Sequence, residues 1–291
     1  MSNENSENSR PVQSSEPARP PMIGILYEDE SGRGLTHPFF NPILNAIREE
    51  AAAQGYDICL INHRDSYLDS CRTMDGVCLV CVDFASPAII ELVKSDIPCV
   101  TVDHLYKGVP AVLSDNETGV SRLVDYAVSR GHRRIAFIHG HNNSIVTRSR
   151  ITQFTSTMSY HKLPVPPEYI REGRYHDIVL TRELVSKLLT LPERPTCILL
   201  PDDISYLGAL EAARDLDLTI PGDISFAGYD GIALMQRMRP QLTTILQDCE
   251  KIGKTAVRLL VDRIHNPAAV RRMPAIFPVT FLEGSTVSEL G

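Results

Sequence analysis

The sequence predicts an α/β fold built on parallel sheets with helices on both faces. Short apolar runs alternate with amphipathic segments from Met22 almost to the C-terminus. The runs, such as "MIGILY", "DGVCLVCV" and "IAFIHG", are nearly continuous rather than alternating. Continuous apolar strands are buried on both faces, and strand–helix alternation places them in parallel. The 291 residues suffice for one large α/β unit or two lobes of ordinary domain size.

Each element has its own signal. Met22 to Tyr27 is the first strand. A helix follows in "NPILNAIREEAAAQG": Asn41 is a capping residue, Pro42 suits the first turn, Ile43, Leu44, Ile47 and Ala51 recur at helical spacing, and Gly55 ends it. Tyr56 to Ile61, "DGVCLVCV" and "CVTVD" are further strands, with a helix capped at Ser86-Pro87 before the last of them. Glu117 to Arg130 is a helix stopped by Gly131, and strand Ile135 to His139 leads into a helix starting near Val146. Another strand ends near Gly173. "TCILLPDD", "GALEAARDLDL", "DISFAGYD" and "EKIGKTAVRLLVDRI" continue the alternation, and "AIFPVTFL" is a closing strand.

Composition narrows the function. Hydrophobic residues make up 43% and charged residues 22%, which is ordinary for a globular chain. The net charge of −7 shows no sign of the basic face a free-standing nucleic-acid binder carries. No apolar run reaches the roughly 18 residues of a membrane span, and the N-terminus has no secretory h-region, so a cytoplasmic location is expected. Residues 1–21, rich in Ser, Asn, Glu and Pro, are expected to be a disordered tail. Five of the seven cysteines lie in or beside strand-like runs, and residues three apart in a strand face opposite ways. Cys78 and Cys81 therefore read as reduced core thiols, with no metal and no disulfide framework expected.

In a parallel α/β sheet, ligands sit beyond the C-terminal ends of the strands. The residues there are His37, Phe39 and Phe40 after the first strand; Asp103 after "CVTV"; Arg148 and Arg150 after "IAFIHG"; Tyr175; Asp202 and Asp203 after "TCILLP"; and Asp230 after "ISFAGY". Carboxylates accept from vicinal hydroxyls, a guanidinium donates in a fixed fork, and an aromatic ring covers the apolar face of a sugar. Taken singly each has a plainer account. Asp202 or Asp203 can simply cap the next helix, Arg148 or Arg150 can be a solvated helix residue, and Phe39 and Phe40 can be core. Their recurrence at several strand ends is what points to a polyol site. The sequence carries no G-x-S-x-G, no phosphate-loop motif, no G-x-G-x-x-G after the first strand and no H-E-x-x-H. Catalysis and a cofactor are therefore not expected.

The segments "HPFFNPILNAIREEAAAQGYDICLI", "LSDNETGVSRLVDYAVSRGHRRIAFIHG", "PDDISYLGALEAARDLDLTIPGDISFAGYDG" and "RPQLTTILQDCEKIGKTAVRLL" resemble the effector-binding core of LacI/GalR-type transcription regulators, from about Met22 to Thr286. The resemblance implies a two-lobed, periplasmic-binding-protein-like fold with three crossovers and a ligand between the lobes. One lobe would comprise residues 22–112 and 248–275, the other 113–247 and 276–291. It implies ligand contacts for His37, Phe39, Phe40, Asp103, Arg150, Tyr175, Asp202 and Asp230. It further implies a small effector such as a sugar, a homodimer, no membrane and no catalysis. Gln153 stands where the family has Gly in R-x-x-G-F, a change a helix tolerates. The first 21 residues hold no counterpart of the family's helix-turn-helix or hinge helix, so operator DNA is a partner only where the intact protein carries that module. A transport receptor of the same fold is the alternative; the lack of a signal peptide or lipidation site counts against it.

Overall fold

In the computed structural model, the structure describes residues 19–27, 36–61, 67–82, 84–267 and 273–290. Most of the expected tail and of the loop after the first strand lie outside them. Arg19 pairs with Asp75 at 3.1 Å, and the Pro21 carbonyl accepts from Asp57 N at 2.8 Å.

Two parallel sheets organise the chain. The first contains β1 (Met22–Tyr27), β2 (Asp57–Ile61), β3 (Gly76–Val80), β4 (Cys99–Val102), β5 (Ala111–Ser114) and β11 (Ala275–Phe277), in the order β11-β5-β4-β3-β1-β2. Side-chain alternation sends Ile23 and Ile25 to one face and Leu26 to the other. On the first face they meet α1 (Phe40–Ala53) and α8 (Cys249–His265) through Ile43, Ile47, Ile252, Val257 and Leu260. On the second face Leu26, Val77 and Leu79 meet Cys71 of α2 (Tyr67–Arg72) and Ile89 and Leu92 of α3 (Pro87–Lys94). Gly253 allows the close approach of α8 to α1, since a Cβ there would run into the Ile43 carbonyl.

The second sheet has the order β7-β6-β8-β9, from β6 (Ile135–His139), β7 (Ile170–Glu172), β8 (Cys197–Leu199) and β9 (Ser225–Ala227). Helices α6 (Ile178–Leu189) and α7 (Ser205–Asp215) cover one face around Val185, Leu188, Tyr206 and Phe226. Helices α4 (Asn116–Ser129) and α5 (Ile145–Tyr160) cover the other around Leu123, Phe137, Phe154 and Tyr229. An antiparallel pair, β10 (Thr244–Leu246) with β12 (Thr280–Leu282), lies beside it. The chain leaves the first sheet after β5, returns between β10 and α8, and crosses again between β11 and β12.

The α/β reading holds, with local corrections. Asn41 lies inside α1, accepting from Asn45 at 2.6 Å, and does not cap it. The cap is His37, whose Nδ1 accepts from Phe39 N at 3.2 Å and Phe40 N at 3.3 Å. Ser86 precedes α3 without a side-chain capping bond. "AIFPVTFL" is two strands in different sheets, divided at Pro278, which has no N–H to continue a ladder.

Candidate functional site

Cavity-lining residues lie where the strands of both sheets end. A cavity of about 890 Å³ is lined by Phe39, Phe40, Cys81, Val102 and Asp103 from the first sheet's side. Arg150, Tyr175, His176 and Asp230 line it from the second, and Gln247 from the segment between β10 and α8.

Arg150 is the fixed cation of the site and is 5% exposed. Ser144 caps α5 by accepting from Thr147 N, and the helix then directs Arg150 inward. Its Nε donates to Asn116 Oδ1 at 2.7 Å and its Nη1 to the Pro201 carbonyl at 3.0 Å. Asn116 is itself held, its Nδ2 donating to Ser114 O at 3.1 Å. The guanidinium carbon sits 3.6 Å from the Tyr229 ring centroid and 5.8 Å from that of Tyr175. Burial opposes the charge, but Tyr175, Tyr229, Asp230 and Asp103 around it outweigh burial and keep its pKa raised. Arg148, two residues earlier on the helix, turns out to the surface and donates to the carbonyls of Asn142 at 3.0 Å and Asn143 at 2.8 Å.

The carboxylates fall into two groups. Asp103 and Asp230 line the cavity, each with a buried oxygen that has no hydrogen-bond partner: Oδ1 of Asp103 and Oδ2 of Asp230. Gln247 donates through Nε2 to Asp230 Oδ1 at 2.7 Å, which leaves its own Oε1 buried and without a partner. Burial pushes the Asp103 carboxyl up to about 6, with Arg150 acting against the shift. Burial also raises Asp230, opposed by His176 and Arg150. His176 Nε2 stands 3.7 Å from Asp230 Oδ2, an ion-pair distance too long for a hydrogen bond.

Asp202 and Asp203 belong to the framework. Asp202 accepts from Ser205 N and Ser205 Oγ, each at 2.9 Å, and from His176 N at 2.8 Å. It caps α7 and anchors His176, and it is not among the cavity-lining residues. Asp203 accepts from Thr244 Oγ1 at 2.5 Å and Ile232 N at 2.7 Å, tying β10 to the loop after β9. The expected ligand contact at Asp202 is therefore replaced by the plainer capping role. His37 is likewise withdrawn from the lining, fully buried as the cap of α1 with its ring 4.2 Å from that of His176.

Of the eight expected residues, Phe39, Phe40, Asp103, Arg150, Tyr175 and Asp230 meet in one cavity. His104, His176 and Gln247 join them without having been singled out. Gln247 carried a signal, since it lies in the segment "RPQLTTILQD" that the family resemblance covers. His176 carried none, because a left-handed backbone (φ 61°) puts it there. Cys81, Asp103 and Asp230 share positive φ values of 51°, 57° and 120°. Four of the six such non-glycine residues among those described thus line this cavity, each costing roughly 1–3 kcal/mol.

Residues 124–287 match the model of the periplasmic binding protein-like domain. The chain belongs to that family, as an effector-binding core of the LacI/GalR type. This core is 28% identical over 267 residues to the HTH-type transcriptional repressor PurR of Vibrio parahaemolyticus, covering 88% of this chain and 79% of that one. It is 29% identical over 250 residues to the PurR repressor of Haemophilus influenzae, covering 82% and 74%. A LacI family transcriptional regulator from Enterococcus faecium, solved with bound ribose, superposes with a TM-score of 0.80 at 25% identity, covering 93% of this chain and all of that one. A LacI family regulatory protein from Chloroflexus aggregans superposes with a TM-score of 0.79 at 25% identity, over 91% and 98%. Among the described residues, no helix of the core is long and apolar enough to cross a membrane.

Proposed function

We propose that this core binds a monosaccharide or closely related polyol in the cleft between two lobes, without chemistry. The observation that carries this reading is the trio of buried acceptors without partners, Asp103 Oδ1, Asp230 Oδ2 and Gln247 Oε1. Unmet buried acceptors cost about 1–3 kcal/mol each, and a ligand rich in hydroxyl donors supplies what they lack. Two donors of Arg150 are spent on the protein, which fixes the plane of the fork for ligand oxygens. Phe39, Phe40 and Tyr175 supply apolar ring surface for the C–H faces of a sugar. The ribose-bound regulator from Enterococcus faecium supports the same class.

The lobes are taken as residues 22–112 with 248–275, and 113–247 with 276–291. Asp103 comes from the first and Arg150 and Asp230 from the second, so a ligand held by all three favours closure. In an intact cytoplasmic homodimer, closure shifts the population competent for operator DNA. A thermal-shift screen against sugars, sugar phosphates and purines tests this. A neutral sugar at 100 times its dissociation constant should add about 2.7 kcal/mol of stability. Stabilisation by purines alone, or steady consumption of the stabilising compound, overturns the reading.

A further inference from the structure

The cavity is larger than the polar cluster at its floor. Its volume of about 890 Å³ is near the top of the range for small-ligand sites, about 300–1,000 Å³, which suits a ligand of two rings better than one. The unpartnered acceptors and Arg150 account for a single hydroxylated ring. The rest of the lining is mixed: Asn143, His141 and an Arg174–Asp177 pair at 3.5 Å lie on the second sheet's side, and aromatic and apolar side chains supply the remainder.

Phe84 and His104 both line the cavity, and their rings are stacked face to face, with centroids 3.8 Å apart and planes 3° from parallel. His104 directly follows Asp103, so one loop supplies an acceptor to the floor and a ring beside it. That loop is held, since Thr101 Oγ1 donates to the His104 carbonyl at 2.6 Å. Burial, then the nearby surface guanidinium of Arg148, lower the pKa of His104 and favour the neutral imidazole. Phe84 and His104 are half-buried and Ala85 beside them is exposed, whereas Arg150 is buried, which places the stack towards the mouth. Val82 and Ala85 continue the lining beside it, and Val146, Ile178 and Val179 contribute apolar side chains from the second sheet's side. Val179 is 79% exposed, an apolar residue at the cavity edge.

We infer that the cleft has a second subsite at its mouth, where the Phe84–His104 stack takes a planar aromatic ring joined to the hydroxylated ring on the floor. This rests on the polyol reading of the floor and names the wider ligand class: a sugar bearing a flat ring, as in a nucleoside or an aryl glycoside. A stacked, uncharged pair offers flat polarizable surface to a second flat ring.

Matched pairs test it by calorimetry on the full chain: adenosine and uridine against D-ribose, and p-nitrophenyl β-D-glucoside against methyl β-D-glucoside. The ring-bearing member of at least one pair should bind about tenfold tighter than its parent, the size of one stacking contact. The pair that shows the gain identifies the source of the ring. Phe84→Ala should bring the ratio of the two affinities close to one, and His104→Phe, which keeps a flat face, should preserve it. Thermal unfolding confirms that each variant folds. Parent sugars that bind as tightly as their ring-bearing partners in both pairs overturn the subsite but leave the polyol reading standing. An unchanged ratio in Phe84→Ala also overturns the subsite. Failure of all five compounds to bind overturns both.

Discussion

The guanidinium carbon of Arg150 lies over the ring of Tyr229, 3.6 Å from its centroid, while Asn116 and the Pro201 carbonyl hold two of its nitrogens. A buried cation held on three sides cannot follow a ligand about. It makes one site rigid and leaves the selection to the carboxylates around it.

Arg150→Ala should weaken ligand binding by about tenfold to a hundredfold, the worth of one charge-assisted hydrogen bond. Arg150→Lys should recover little, because an ammonium has neither the fork nor the flat face that Tyr229 covers. Arg148→Ala should change affinity by less than about twofold, since its donors are engaged at the surface. Calorimetry with the sugar returned by the thermal-shift screen checks all three. Equal losses at 148 and 150 would contradict the roles given to them.

Asp103 should make binding depend on pH. Its carboxyl is raised to about 6, so the empty cleft favours the neutral form. That preference stabilises the empty protein below its usual pKa of 3.8 and is lost as pH rises through about 6. Ligand hydroxyls donate to the ionised form, so affinity should rise as pH rises through about 6 and fall by up to about tenfold per unit below it. Asp230, also raised by burial, titrates in the same field. Asp103→Asn should remove its share of the profile and leave that of Asp230. A flat affinity profile in the wild type between about pH 4.5 and 7 would count against a carboxylate–hydroxyl contact at Asp103.

The parts of this arrangement that were legible in the sequence share a physical cause. The buried strands β1, β3, β4 and β6 are short, mostly apolar runs, and the C-terminal ends of β4 and β6 led to Asp103 and to the loop before Arg150. Strand β10, three residues long and ending in exposed Leu246, carries no run to detect. Helix α6 went unnoticed although Asp177 caps it by accepting from Leu180 N, because it follows a loop read only for Tyr175. Asp202 and Asp230 looked alike as strand-end acids. What separates them is a local choice between a helix N-terminus and an open cavity, and that choice depends on the path of the following backbone.

Asp202→Ala should therefore act on stability before it acts on the ligand. Truncation leaves Ser205 N and His176 N without their acceptor and removes the cap of α7. The expected loss is about 1–3 kcal/mol in urea unfolding. Ligand affinity should fall less than in Asp230→Ala, because Asp202 reaches the cavity only through the backbone of His176. A loss of affinity as large as that at Asp230, with stability unchanged, would restore Asp202 to direct contact.

Gly140 tests whether Tyr175 must hold its present position. A Cβ at residue 140 would overlap the Tyr175 ring. That ring is otherwise fixed by the bond between its hydroxyl and Thr147 Oγ1 at 2.9 Å and lies 5.8 Å from the Arg150 guanidinium. Gly140→Ala should push the ring towards the cavity, lower affinity and break the bond to Thr147. Tyr175→Phe, which loses only that bond, should cost less, because the ring surface facing the ligand survives. In the double variant Gly140→Ala with Tyr175→Ala the overlap is gone, so the two losses should be strongly non-additive. Calorimetry on the four members of that cycle measures the coupling. Simple additivity would mean that Gly140 acts on binding by a route other than the Tyr175 ring.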